Sequence, residues 1–387
     1  MTRSSKKSVE KKQKLSPLIL LTSILIIIGF LFISISSLTE ASNIAGDKFF
    51  FLKKQLIWLF IGCMAFLITS KIPIETIKKV SPYLYFSSLF LLFLVLIPQL
   101  GDKTLGARRW LNIGFTEIQP SEILKLFSII YFAKLFSQIE KRTIKNLILY
   151  LGIPFALIIA QPNLSTAILI SAIVITIYYL SGGEIIHLFT LGLFATILSY
   201  ILIISSPYRL ARLQGLATGS YHSDQIIMAL ASGGIFGKGF ANSDQKYRFL
   251  PKISTDSIVA VIGEETGIVG IVTIVLLFIF LIANLFKIAN NSKSSFESLL
   301  ASGIGIWIAY QALINISAIV ALIPLTGVPL PFISYGGSSL ISLMSAIGLA
   351  YNIDRNRSKL LYYSADANNP KTPKNHLYNR HPPHPRS

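Results

Sequence analysis

Apolar runs long enough to cross a bilayer as helices fall at residues 17–36, 54–70, 82–99, 121–138, 145–160, 164–181, 185–205, 257–286, 298–323 and 333–353. A hydrocarbon core about 30 Å thick is crossed by roughly 20 apolar residues in a helix, so the pattern predicts about ten transmembrane helices. Only Gln161-Pro162-Asn163 separates the fifth run from the sixth, which predicts a tight turn. Residues 1–16 are rich in lysine and precede an apolar run, as in a signal peptide. That run is of spanning length, so an uncleaved first helix is expected. No internal repeat is apparent, which argues against an inverted-repeat transporter. Three polar islands interrupt the pattern, near residues 101–121, 206–256 and 321–339.

Composition sharpens this picture. The 387 residues are 52% hydrophobic and 13% charged, with a mean hydropathy of +0.63. A soluble domain could not bury that much apolar surface, so an all-α, polytopic integral membrane protein is expected. Residues 1–16 form a basic N-terminus, 17–355 the transmembrane domain with a large outer loop at 206–256, and 356–387 a polar tail expected to be disordered. Cys63 is the single cysteine and lies in an apolar run, which rules out an intramolecular disulfide and suggests packing. No cluster of metal-ligating residues stands out, and His187 reads as a helix-end residue.

The net charge of +18 points to membrane orientation and anionic headgroups rather than to nucleic acid. With the N-terminus inside, 21 Lys and Arg fall on the cytoplasmic side and 12 outside, so N-in/C-in is expected. Six of the outer cations sit in one loop: Arg209, Arg212, Lys238, Lys246, Arg248 and Lys252. Three more, Lys103, Arg108 and Arg109, lie between the third and fourth runs. Placing cations outside opposes the topological preference, and an anionic ligand there would account for it.

The candidate chemistry lies in the islands. Asp256 stands where a basic stretch meets an apolar run, and an acid at such a boundary either reacts, pairs or caps the helix that follows. Pro120 and Ser121 mark a helix start, and Glu122 and Lys125 share one helix face. They form either a surface ion pair or an inward polar site. Arg108 and Arg109 suit bidentate phosphate binding, whereas Trp110 reads more readily as an interfacial anchor. Gly233, Gly234, Gly237 and Gly239 permit either close approach to an anion or a bent segment. The prolines and glycines of residues 321–339 break a helix at membrane depth, which is tolerated where backbone lines a cavity. Gln311 and Asn315, four apart, face that cavity or join neighbouring helices.

The segments GARRW with QPSE and Lys125, GGIFGKG leading to LPKISTD, and LPFISYGGSS occur in the order of the SEDS family, which includes FtsW, RodA and SpoVE. The chain resembles that family from the first helix to the tenth. The resemblance implies a peptidoglycan glycosyltransferase that polymerises lipid II, with Asp256 at the position of the essential aspartate and Glu122 and Lys125 lining the same cavity. Gln119, Ser121, Gln245, Lys246 and Ser334 fall in signature segments and join Arg108, Arg109 and Trp110 as expected substrate contacts. The pair Gln245-Lys246, the stretch from Pro207 to Arg212 and Gly263–Glu265 look more like the division members; Pro324–Pro331 looks more like RodA. The balance favours septal synthesis over elongation. A class B penicillin-binding protein transpeptidase and divisome or elongasome membrane proteins are the implied partners. Two departures stand out: Asn163 where the family has an acid, and Ser254 where it has a histidine.

This reading makes Asp256 the general base on the acceptor hydroxyl, with Arg108, Arg109, Lys125 and Lys246 stabilising the departing pyrophosphate. A divalent cation is compatible with that chemistry, but no ligand set demands one. The rival function is a lipid II carrier that makes no bond, and polymerised glycan in detergent separates the two.

Overall fold

The computed structural model describes residues 16–36, 46–104, 107–112, 114, 116–218, 221–242 and 255–367. Gln245, Lys246, Arg248, Lys252 and Ser254, most of the basic N-terminus and the end of the tail lie outside the described residues.

Ten helices follow the ten apolar runs. They are α1 (Pro17–Ser36), α2 (Phe50–Lys71), α3 (Ile74–Leu96), α4 (Pro120–Ser137), α5 (Ile144–Ala160), α6 (Leu164–Leu180), α7 (Ile185–Ile204), α10 (Ile258–Asn290), α11 (Ser295–Ile319) and α12 (Gly337–Ala367). Six of these are long and apolar enough to cross a membrane by themselves, and α5 and α6 are shorter apolar helices. The expected starts and ends hold to within a few residues for most. The third helix opens eight positions early, at Ile74, because Lys78, Lys79 and Pro82 are carried inside it. The last continues beyond residue 353 to Ala367 through a polar extension.

Packing centres on α4 and α11. The first contacts α3, α6, α11 and α12; the second contacts α4, α6, α10 and α12. Fourteen of the 18 residues of α4 are buried, among them Leu124, Ile129, Phe132 and Phe136. A helix surrounded by protein rather than lipid can carry polar groups wherever partners are in reach, and α4 and α11 both do. By contrast, α7 has no buried residue and its main contacts are with α6 and the short helix that follows it.

Two islands hold more order than expected. Strands β1 (Gly101–Thr104), β2 (Ala107–Asn112) and β3 (Glu117–Ile118) form an antiparallel sheet, a small departure from all-α. The large loop between α7 and α10 contains α8 (Pro207–Thr218) and α9 (Tyr221–Gly233).

The glycine-rich segment after α9 has a definite structural task. Helix α10 breaks at Gly267, whose φ is +66°. In an unbroken helix the N–H groups of Ile268 and Val269 would bond the carbonyls of Glu264 and Glu265. Here Ile268 N–H donates to Gly234 O (3.0 Å) and Val269 N–H to Ile235 O (3.2 Å). The two orphaned carbonyls accept from Lys238 N–H (2.9 Å) and Gly239 N–H (3.0 Å). Four backbone groups released by the kink are thus paired by one neighbouring segment. Contact is close enough to require glycine: a Cβ on Gly237 would lie 2.2 Å from Glu265 O, and one on Gly267 would lie 2.3 Å from Ile235 O. These glycines therefore approach a backbone. The limb after the kink, residues 268–290, is about 35 Å long at 1.5 Å per residue, enough to cross a bilayer alone.

Candidate active site

The inward-facing alternative holds for Glu122 and Lys125. Lys125 is 2% exposed and Glu122 4%, and the Nζ–Oε2 distance is 2.8 Å. Lys125 Nζ also donates to Gln311 Oε1 of α11 at 2.9 Å and lies 5.3 Å from the centroid of the Trp307 ring. Trp307 Nε1 donates to the same Gln311 oxygen at 2.7 Å, and Gln311 Nε2 donates to Pro329 O at 2.9 Å. Two donors at one end and a carbonyl at the other fix the orientation of this carboxamide. A buried charge is tolerated only when paired and hydrogen-bonded, and Lys125 meets both conditions. Its ammonium is held inside the bundle by these partners.

Asp256 is half-buried, two places before the first residue of α10. The N-cap of that helix is Ser257, so Asp256 sits one position outside the cap. Its backbone carbonyl accepts from Asn315 Nδ2 at 3.3 Å, and the same nitrogen donates to Val328 O at 2.8 Å. Gly327 (φ +71°) passes beside the carboxylate, where a Cβ would stand 3.5 Å from Asp256 Oδ2. The broken segment 320–336 therefore brings its backbone beside Asp256 at Gly327 and Val328. Ser334 tightens this segment: its Oγ accepts from Leu330 N–H at 2.9 Å.

Arg108 and Arg109 are consecutive on β2 at a bulge, where Arg108 faces Lys103, Trp110 faces Asp102 and Arg109 is the extra residue between them. Arg109 donates from Nε to Gln161 O at 3.4 Å and from its terminal nitrogen to Pro162 O. It thereby clamps the turn between α5 and α6. Arg108 is half-buried and its Nε has no hydrogen-bond partner among the described residues. Trp110, also half-buried, pairs across the sheet with Asp102. Gln119 is the N-cap residue of α4 and its N–H donates to Ser338 Oγ at 3.1 Å, tying the start of α4 to the start of α12. Ser121 is 1% exposed, and its Oγ has no hydrogen-bond partner among the described residues.

Other expected features resolve in structural roles. Lys238 pairs with buried Glu264 at 3.0 Å, beside the kink of α10. Arg209 reaches back to Leu202 O at 2.8 Å. Asn163 caps α6 by accepting from Thr166 N–H, a task an aspartate would also perform. His187 sits in the first turn of α7 with Nδ1 2.9 Å from Tyr178 Oη. Ser338 and Gly327 were not singled out from the sequence, whereas the linking role of Gln311 and Asn315 is the second of the two readings offered for them. The spacing of Trp307, Gln311 and Asn315, four and four, does mark one face of α11.

Fold and site together define a polytopic α-helical membrane protein whose half-buried aspartate overlies a sealed, charged interior. The family model of the cell cycle proteins FtsW, RodA and SpoVE matches residues 16–359, and this chain belongs to that family. It is 36% identical over 360 residues to the stage V sporulation protein E of Bacillus subtilis (strain 168), covering 89% of this chain and 98% of that protein. It is 33% identical over 344 residues to the probable peptidoglycan glycosyltransferase FtsW of Wigglesworthia glossinidia brevipalpis, covering 85% and 90%. Among solved structures it is similar to a chain of a peptidoglycan synthase complex that coordinates polymerization and crosslinking, with a TM-score of 0.73 at 26% identity, covering 88% of this chain and 97% of that one. The rod shape determining protein RodA of Thermus thermophilus gives 0.66 at 26% identity, covering 88% and 96%. The protein is accordingly a multi-pass protein of the bacterial cytoplasmic membrane.

Proposed function

We propose that this chain polymerises lipid II into glycan strands on the outer face of the membrane, with Asp256 as the general base. Its membership of a family whose curated relatives are named peptidoglycan glycosyltransferases supports the reaction class. The observation that carries the catalytic assignment is the setting of Asp256. It is a half-buried acid at the edge of the bundle, overlain by the glycine backbone at Gly327 and tied through its own carbonyl to the polar interior.

The carboxylate takes the proton of the acceptor's sugar hydroxyl as that oxygen attacks the anomeric carbon of the donor. The bond from that carbon to the pyrophosphate oxygen breaks, the polyprenyl pyrophosphate departs, and the centre inverts. Arg108 and cations of the large outer loop other than Arg209 and Lys238, Lys246 among them, stabilise the charge on the leaving group. Glu122 and Lys125 support the cavity from within, because both are sealed from solvent. The N-in/C-in orientation places these groups outside, where the undecaprenyl-linked donor presents its sugar.

Similarity to FtsW and SpoVE proteins supports a septal role over elongation. A class B penicillin-binding protein transpeptidase is the partner of choice, in line with the solved relative that belongs to a complex coupling polymerization to crosslinking. Divisome membrane proteins complete the assembly.

The test uses the purified full-length chain with its penicillin-binding partner and lipid II in detergent. General base catalysis contributes typically about 10²–10⁴-fold, so Asp256→Asn should lower glycan formation at least 100-fold. Glycan made at an undiminished rate would refute the assignment. Product formed by the wild type in detergent, where transport has no meaning, also excludes a pure carrier.

A further inference from the structure

We propose that Asn315 is the positioning residue of Asp256: its carboxamide nitrogen holds the Asp256 and Val328 carbonyls together and so sets where the carboxylate stands. The inference rests on the general-base reading of Asp256 and adds a residue that does not itself touch substrate.

Three observations meet at this side chain. Asn315 is 3% exposed, and its Nδ2 bonds Val328 O at 2.8 Å and Asp256 O at 3.3 Å. The two carbonyls belong to segments 72 residues apart in sequence, both irregular, and each needs an external donor to be fixed. One turn earlier on the same face of α11, Gln311 does the parallel job, joining Pro329 O to Lys125 Nζ. Hydrogen bonds therefore run without a break from the Asp256 peptide through Asn315 to Val328, across the Val328–Pro329 peptide to Gln311, and on to the Lys125–Glu122 ion pair. The interior charges thus bear on Asp256 through two amide side chains on a rigid helix.

Simple helix-to-helix adhesion does not explain Asn315 as well. Its Oδ1 is buried with no hydrogen-bond partner among the described residues. An unpaired carbonyl oxygen away from water carries a desolvation penalty that a leucine would avoid. The donor end is what the position requires. Val328 N–H, bonded to Thr326 Oγ1 at 3.4 Å, is held separately, so the Asn315 contact acts on the carbonyl side of that loop. With Gly327 directly beside Asp256 Oδ2, a shift of Val328 moves the wall against which the carboxylate rests.

The test compares Asn315→Leu, which keeps the branched shape and the number of side-chain heavy atoms, with Asn315→Ala, which leaves a cavity. Both lose the donor. Each full-length variant is assayed with its penicillin-binding partner for glycan polymerisation against lipid II concentration, and for its unfolding midpoint in detergent. A misplacement of about 1 Å in a reacting group costs on the order of 100-fold in rate. Both variants should therefore show kcat lowered by about that factor with KM for lipid II within about threefold of wild type, while the alanine variant, which adds a cavity to the lost donor, shows the lower midpoint of the two. Wild-type kcat in Asn315→Leu overturns the inference, as does a kcat loss that follows the midpoint from one variant to the other, or a loss confined to KM. Asp256→Asn, run alongside, separates the two levels. If it retains activity, the general-base reading fails; if it is inactive while Asn315→Leu is fully active, only the positioning role fails.

Discussion

Helices α4 and α7 invert the rule for soluble proteins. Helix α4 holds two lysines and a glutamate and is the more buried; α7 holds mostly Ile, Leu and Phe and has no buried residue. In lipid an apolar surface needs no cover, so hydrophobicity gives α7 no reason to dock. Polar groups do need partners, and α4 finds them on α11. The bundle is organised by its polar residues and its backbone contacts, and its apolar residues mark where it ends.

That contrast is broken most severely at the ion pair. Glu122→Gln leaves Lys125 buried beside a neutral partner, and removing one member of a buried pair costs about 3–5 kcal/mol. The unfolding midpoint in detergent should fall steeply, whereas Glu122→Gln combined with Lys125→Met should recover much of it. A single variant as stable as wild type would show that the pair does not organise α4.

An intermediate effect is expected at the kink of α10. Gly237→Ala places a side chain on a residue with φ +81° and 2.2 Å from Glu265 O. Strain of this kind costs about 1–3 kcal/mol. Gly234→Ala, where φ is +54° and the space is open, should cost less in the same unfolding measurement. Equal losses would mean that close approach to α10 is not what the segment needs. The smallest effect belongs to α7: Leu193→Ala, 65% exposed, should change stability by less than about 0.5 kcal/mol and leave polymerisation near wild type. A large loss there would show that α7 docks more firmly than its exposure indicates.

How much of this was legible in the sequence follows from the range of the interactions. Helix α1 begins and ends where its apolar run does, since hydropathy is a local property. The Glu122–Lys125 pair was legible from its spacing, which places both on one face. The partner of Lys125 was not, because Gln311 lies 186 residues away. The small sheet of β1, β2 and β3 escaped notice because its strands are two to six residues long, too short for alternation to show. The reach of Arg109 to the turn between α5 and α6 was not legible either, because Gln161 lies 52 residues away. The glycines before residue 240 left open an anion site or a bent segment; only the fold shows that they approach the backbone of a broken helix.

The broken helix also bears on how the protein is made. Residues 234–239, which supply the missing backbone partners, leave the ribosome before Glu264 to Val269 do. Chains emerge from the N-terminus at about 5–20 residues per second, so the receiving segment precedes the kink by a few seconds. The nascent helix can therefore meet its partner as it forms, and the opened turn at Gly267 need not wait unpaired for a later part of the chain.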